Sequence, residues 1–302
     1  MLDIAENRME IYAREELADL WESARAEYLF RRNFSEVRLI VTDLYREMSV
    51  SEFRPQWFEL HFADRDGMLP AIKIAGEKMT ARLEGYVDRA DIWRDGENVY
   101  VRVVDYKTNK KSFDYTMILN GLLLQMLLYL FALEQSGKKL LNAPLRPAGV
   151  LYFEAKAENT SLKNKFNEKD MQKKQKEQKK RSGLVLDNEA VLQAMEPCDD
   201  EPTYLPYKHD KENNRVGSLF TTQQLHLLEE YVFKTVAALG DELYSGEIAP
   251  NPYYLTNSSN ACAYCPYASV CRGNKEERWL NKVKSADEFW AQIGEEKKNG
   301  EI

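Results

Sequence analysis

Histidine and cysteine are scarce in this chain of 302 residues: there are three histidines and four cysteines, none of them earlier than His61. No G-x-x-x-x-G-K-[ST] loop occurs, so the chain alone cannot hydrolyse ATP through that phosphate cradle. No apolar run reaches the roughly 18 residues of a membrane span. The longest, "ILNGLLLQMLLYLFAL", is interrupted by Asn120 and Gln125 and reads as a core helix. The opening residues "MLDIAENRMEIYAREE" carry acids where a secretory signal places a basic and then an apolar segment, so a cytoplasmic chain is expected. No internal repeat is found, and residues 5–48 lack proline and glycine, so nothing interrupts their helical spacing of apolar positions.

An excess of positive charge is missing as well. With 42 Lys and Arg against 49 Asp and Glu, the net charge of −7 argues against a surface that binds phosphates everywhere. One segment departs from this: residues 156–181 hold ten basic and four acidic side chains. Lys173, Lys174, Lys176, Lys179, Lys180 and Arg181 are its candidate DNA contacts. Phe166 is the segment's one aromatic residue, so such contacts are expected to go to phosphates rather than bases.

What is present fits a folded protein: 44% hydrophobic residues with 17 Tyr, 12 Phe and 5 Trp, enough for one large core with insertions. A helical N-terminal region covers residues 1–50 and the main domain 51–302, with the basic insertion at 156–181 and a Cys-rich loop at 246–273. Strand-like alternation runs through 56–64, 79–93 and 99–108, with "RDGE" as the turn between the last two. A helix at 114–136 and a strand at 148–155 follow, then helices near "NEAVLQAM" and from Thr221 to Tyr244. The expected class is α/β, with core order helix, three-stranded antiparallel meander, helix, strand in a mixed sheet.

Chemistry enters where apolar strands run out. Asp105 and Lys107 in "VVDYK" are two apart and share a face. Asp88 in "GYVDRAD" ends the preceding apolar run, and pairing through the "RDGE" turn brings it toward Asp105. Two adjacent carboxylates need a proton or a cation, and Mg²⁺ or Mn²⁺ suits oxygen donors of this kind. Gln125 and Tyr129, four apart, share one face of the following helix. Arg89 and Asp91 take the opposite strand face and read as a structural ion pair.

In this order the motifs resemble the PD-(D/E)XK nuclease superfamily, and more closely the nuclease domain of RecB and of the AddB or RexB subunit of bacterial helicase–nucleases. The resemblance rests on "LEGYVDRAD", "VVDYKT", "NGLLLQMLLYL", "GVLYFE" and "GEIAPNPYY…CAYCPYASVC", spanning roughly residues 53–273. It implies a restriction-endonuclease-like core and hydrolysis of DNA in double-strand-break repair and recombination, with DNA and a helicase–nuclease subunit of AddA type as partners. By the same resemblance Asp88 and Asp105 hold the metal, Lys107 orients or deprotonates the attacking water, and Gln125 and Tyr129 lie beside the site. The alternative is a DNA-binding or partner-docking module of the same fold with weak cleavage.

Cys262, Cys265 and Cys271 form a C-x₂-C-x₅-C pattern suited to iron–sulfur or metal ligation rather than to disulfides, but a 4Fe–4S cluster takes four cysteines. The resembling family places its fourth cysteine upstream of the nuclease motifs, and its extra histidine metal ligand on an upstream helix. This chain has neither, so it is expected to be a piece of a longer subunit with an incomplete or absent cluster. Cys198, in "MEPCDDEP", is expected to be a free thiol. Zinc completed by His209 or His226 is the weaker option, because neither stands at the usual ligand spacing.

Overall fold

The structure is a computed structural model that describes residues 1–16, 23–108, 112–155, 179–199, 201–271 and 277–299. It divides into two compact units. The first comprises Met1–Phe58, Asp88–Ser112 and Leu145–Leu219; the second comprises Glu59–Val87, Phe113–Pro144 and Phe220–Ile302.

The first unit begins with α1 (Leu2–Glu15) and α2 (Ala24–Val50), joined by an Arg38–Glu6 ion pair of 3.0 Å. The central sheet has six strands in the order β1 (Arg54–Phe62), β4 (Gly85–Asp95), β5 (Asn98–Lys107), β6 (Leu145–Glu154), β7 (Ser182–Leu186) and β10 (Leu219–Phe220). It is mixed, because β4 and β5 run antiparallel, β5 and β6 parallel, and β6 and β7 antiparallel. Gly96, with φ of +58°, takes the left-handed conformation of the tight β4–β5 turn. That turn sets a register from Asp95↔Asn98 to Arg89↔Val104. Val99, Val101, Val103 and Val104 of β5 are buried, each worth about 1.5–3 kcal/mol relative to exposure. Helix α5 (Glu189–Met195) is capped by Asn188 and accepts the Glu52 N–H at the Ala194 carbonyl, 2.7 Å away. Strands β8 (Tyr207–His209) and β9 (Arg215–Gly217) form a separate hairpin.

Two elements of the second unit differ from the sequence expectation. Residues 79–93 do not form one strand: β3 (Thr80–Leu83) leaves to pair with β2 (Ile72–Ala75), and β4 begins anew at Gly85. The Tyr129 hydroxyl fills the space that a Cβ on Gly85 would need, so the absence of a side chain there is a packing requirement. The single helix expected over 114–136 is two helices, α3 (Tyr115–Leu119) and α4 (Gln125–Leu141). Between them Gly121 and Leu123 have φ of +75° and +57°, and Asn120 closes α3 by donating its side-chain amide to the Thr116 carbonyl at 2.7 Å.

The long helix α6 (Thr222–Tyr244) starts at a capping box between Thr221 and Gln224. Its Asp241 accepts the backbone N–H groups of Glu77, Lys78 and Met79 at 2.7, 2.8 and 3.0 Å, which pins the β2–β3 turn. Short strands β11 (Tyr253–Tyr254) and β12 (Arg278–Trp279) pair in parallel, and α7 (Ala286–Asn299) sets Phe289 4.7 Å from the Tyr115 ring. Among the described residues no helix is long and apolar enough to cross a membrane.

Candidate functional site

The register of β4 and β5 builds the first part of the site. The last pair is Arg89↔Val104, and the same register continued by one step would set Asp88 opposite Asp105. Residues so placed share a face with Cβ atoms about 4.5–5.5 Å apart. The backbone ladder stops there, and the Asp88 side chain takes over as acceptor: its Oδ2 receives the Tyr106 N–H at 2.8 Å. Asp105 is 5% exposed, and its Oδ2 lies 2.7 Å from Nζ of Lys107 on the same face. The parallel partner β6 adds Tyr152 beside Asp105 and Glu154 beside Lys107. Burial, and then the Asp105 charge, push the Tyr152 phenol up to about 12.

Among the described residues this end of the sheet carries Asp88, Asp105 and Glu154, with Lys107 paired to Asp105. Asp88 and Asp105 offer the hard oxygen donors that a divalent cation takes. Among the described residues no three His, Cys, Asp or Glu side chains stand close enough together to hold a metal ion, so Glu154 shares the face without joining the pair as a third ligand. Tyr152 and Glu154 were not singled out from the sequence, although "LYFE" repeats the two-residue spacing of "DYK" on the next strand and offered the signal.

The other face of the same strands has a different chemistry. Arg89 and Asp91 are almost fully buried; Nε of Arg89 is 2.8 Å from Oδ1 of Asp91, and Arg102 Nε donates to Oδ2 of Asp91 at 2.9 Å. The Arg89 guanidinium also donates to the Tyr106 hydroxyl at 2.5 Å. Burial works against the Arg89 charge, but Asp91, Tyr106 and Glu47 outweigh it and its pKa moves up.

Arg181 belongs to this buried face, which corrects its assignment as a DNA contact. It is 7% exposed, donates to Glu47 at 2.8 and 2.9 Å and to Asp43 at 2.6 Å, and stacks 4.1 Å from the Phe153 ring. A guanidinium held by two carboxylates and a ring is not available to phosphate. Lys180 is turned inward in part, its Nζ donating to the Tyr207 carbonyl at 2.6 Å and standing 3.7 Å from Glu201. Lys179 is half-buried. Lys173, Lys174 and Lys176 lie outside the described residues.

In the second unit Gln125 is exposed at the first turn of α4 and donates its amide to the Tyr129 hydroxyl at 3.0 Å. Tyr129 itself is buried and lies parallel to Phe62, 5.9 Å between ring centres. The structure thus joins Gln125 to Tyr129 in the second unit, and in the first joins Lys107 to Asp105 and the Tyr106 N–H to Asp88.

Among the described residues the cysteines of the loop are not grouped with two further His, Cys, Asp or Glu side chains that could hold a metal ion with them. Cys265 and Cys271 are exposed, and Cys262 accepts the Tyr254 hydroxyl at 3.7 Å. In the first unit Cys198 lies 3.9 Å from the Tyr207 hydroxyl. Burial raises its thiol pKa, as do Glu196, Asp199 and Glu189, and a raised pKa disfavours the thiolate that an iron or zinc ligand must be. Three thiols do not complete the four-cysteine shell of a 4Fe–4S group.

Residues 3–272 match the PD-(D/E)XK nuclease superfamily. One subunit of the ATP-dependent helicase/deoxyribonuclease of Thermoanaerobacter sp. (strain X514) is 29% identical over 92% of this chain and 24% of its own length. The corresponding proteins from Acetivibrio thermocellus and Moorella thermoacetica are 30% and 31% identical, over 82% and 83% of this chain and 22% of their own lengths. The chain therefore spans about a quarter of the relatives it matches.

Proposed function

Because the chain belongs to the PD-(D/E)XK nuclease superfamily, whose members generally use divalent metals, we propose that it is a Mg²⁺- or Mn²⁺-dependent deoxyribonuclease domain of exonuclease type. Its setting is a cytoplasmic helicase–nuclease that processes double-strand breaks, with DNA and an AddA-type helicase subunit as partners. The observations that support the reading are the Lys107–Asp105 contact of 2.7 Å and the end of the β4–β5 ladder at Arg89↔Val104, which leaves Asp88 and Asp105 as the next residues of the two strands. Asp88 and Asp105 hold the cation. When bound, it polarises a phosphoryl oxygen and lowers the pKa of the attacking water.

The protein's own groups do the rest. The Tyr106 N–H orients the Asp88 carboxylate. Asp105 holds the Lys107 ammonium at the sheet end, where its charge faces the negative charge that develops on the phosphoryl group. Gln125 and Tyr129, already joined to each other, supply polar groups for water or phosphate. Of the basic segment, Lys173, Lys174, Lys176 and Lys179 track the DNA backbone. The cysteine loop offers Cys262, Cys265 and Cys271 as three of the ligands of a cluster, and no step depends on it.

A docking module of the same fold is the second reading, favoured by one observation: among the described residues no third ligand joins Asp88 and Asp105. Incubating the chain with end-labelled single-stranded DNA and Mn²⁺, beside Asp105→Ala, decides between them. Cleavage by the parent and none by the variant is expected. DNA binding without cleavage by either would establish the docking reading.

A further inference from the structure

The buried charge network on the back of the sheet meets the candidate cation site through Tyr106. Its backbone lies between Asp105 and Lys107, and its N–H donates to Asp88 at 2.8 Å. Its side chain points to the other face, where the hydroxyl accepts from Arg89 at 2.5 Å and the ring meets Phe153 edge-on at 5.4 Å. Arg89 is fixed in turn by two contacts with Asp91, of 2.8 and 3.1 Å, and Asp91 is shared with Arg102.

We propose that the Arg89–Tyr106 contact is a positioning device for the cation site. It clamps the end of β5 from behind, so that one peptide unit presents its N–H to Asp88 and holds Asp105 and Lys107 on either side. The inference rests on the reading of Asp88 and Asp105 as cation ligands and adds residues that never touch the cation.

Three features support it. The backbone ladder between β4 and β5 ends at Arg89↔Val104, so beyond that pair β5 lacks the hydrogen bonds that would otherwise fix Tyr106 to β4. The only described hydrogen bonds that tie Tyr106 to β4 are the N–H to Asp88 and the hydroxyl to Arg89. A buried ion pair is also weak support for stability, since apolar residues of similar volume often serve as well. An arginine whose planar fork spans both Asp91 and a tyrosine fits a requirement for geometry. Groups that orient metal ligands from behind typically govern affinity by about 10- to 100-fold.

Tyr106→Phe removes the hydroxyl and leaves the ring and the backbone N–H. The measurements are Mn²⁺ affinity by electron paramagnetic resonance, the Mn²⁺ concentration for half-maximal cleavage of single-stranded DNA, and the melting temperature of the metal-free chain. Mn²⁺ binding is expected to weaken about tenfold, with half-maximal cleavage moving in parallel. Trp93→Phe is the control: it deletes a hydrogen bond to Glu52 of 2.8 Å on the same back face, and is expected to lower the melting temperature without changing Mn²⁺ affinity. Arg89→Lys keeps the charge but loses the fork, and combined with Tyr106→Phe it should add nothing further to the loss of Mn²⁺ binding. Parent-like Mn²⁺ affinity in Tyr106→Phe, or an equal loss in Trp93→Phe, overturns the inference while leaving the nuclease reading intact. A parent chain that binds no Mn²⁺ removes the cation reading and the inference with it.

Discussion

The two faces of β4 and β5 are made by alternate residues of the same strands, yet they treat charge in opposite ways. Behind the sheet, Arg89, Arg102 and Arg181 meet Asp91, Glu47 and Asp43, three bases to three acids, all within 3.1 Å of a partner. In front, the described residues at the sheet end are Asp88, Asp105 and Glu154 with Lys107 as their described base. Buried charge by itself therefore does not mark a functional site, for the more deeply buried set is the balanced one. On the proposed reading, what sets the front face apart is the excess of carboxylates among its described residues, because adjacent carboxylates need a proton or a cation.

The comparison breaks most sharply at Asp91. Asp91→Ala leaves Arg89 and Arg102 buried without their shared counter-charge, and the expected loss is about 3–5 kcal/mol of folding stability, read from urea denaturation. On the front face Asp105→Ala is expected to do the reverse. Cleavage falls by at least about a hundredfold, while the melting temperature of the metal-free chain stays within a few degrees of the parent, since the lost Lys107 pair is partly solvated. A large loss of stability in Asp105→Ala, or of cleavage without stability in Asp91→Ala, would erase the distinction between the faces.

The β4–β5 pairing and the Asp105–Lys107 contact were legible in the sequence for a physical reason. Strand period puts Asp105 and Lys107 together, and a tight turn at Gly96 transmits its register back to Asp88, so local chemistry determines the geometry. Arg181 was not legible, because its partners Asp43 and Glu47 lie 138 and 134 residues earlier in the chain. Seen locally, it is the last of a run of bases and reads as solvated. The break between α3 and α4 escaped for a related reason: "NGLLLQ" keeps helical apolar spacing, and the left-handed Leu123 that ends the pattern has no propensity signal of its own.

The basic segment offers a smaller test. Reversing Lys173, Lys174, Lys176 and Lys179 to Glu should weaken DNA binding and flatten its dependence on salt. Each lost phosphate contact reduces the slope of log affinity against log salt by about 0.7 for single strands. Arg181 is excluded from the set because it belongs to the balanced face, and its replacement should change stability before it changes the salt slope. An unchanged slope after the lysine reversals would mean that the segment is a solvated surface.

A third treatment of charge occurs in the second unit, and it sharpens the contrast with the smallest expected effect. Glu134 of α4 is near Glu229 of α6, and Gln135 donates to Glu229 at 3.3 Å. Burial, and then the Glu229 charge, push the Glu134 carboxyl up from the ordinary 4.5 to about 7. Here the excess of acid is met by a proton, where the back face uses arginine and the front face, on the proposed reading, takes a cation. The folded state therefore binds the proton more tightly than the unfolded chain. Its stabilising contribution is complete below about pH 4.5 and is lost as the pH rises through about 7. Because Glu134 is only half-buried, solvent screening reduces the effect to about 1 kcal/mol or less. Glu134→Gln should remove that slope, so that stability measured by urea denaturation at pH 5 and pH 8 differs less in the variant than in the parent. If the variant retains the parent's full pH dependence, Glu134 is not the group that takes the proton, and the acid pair is held apart by solvent alone.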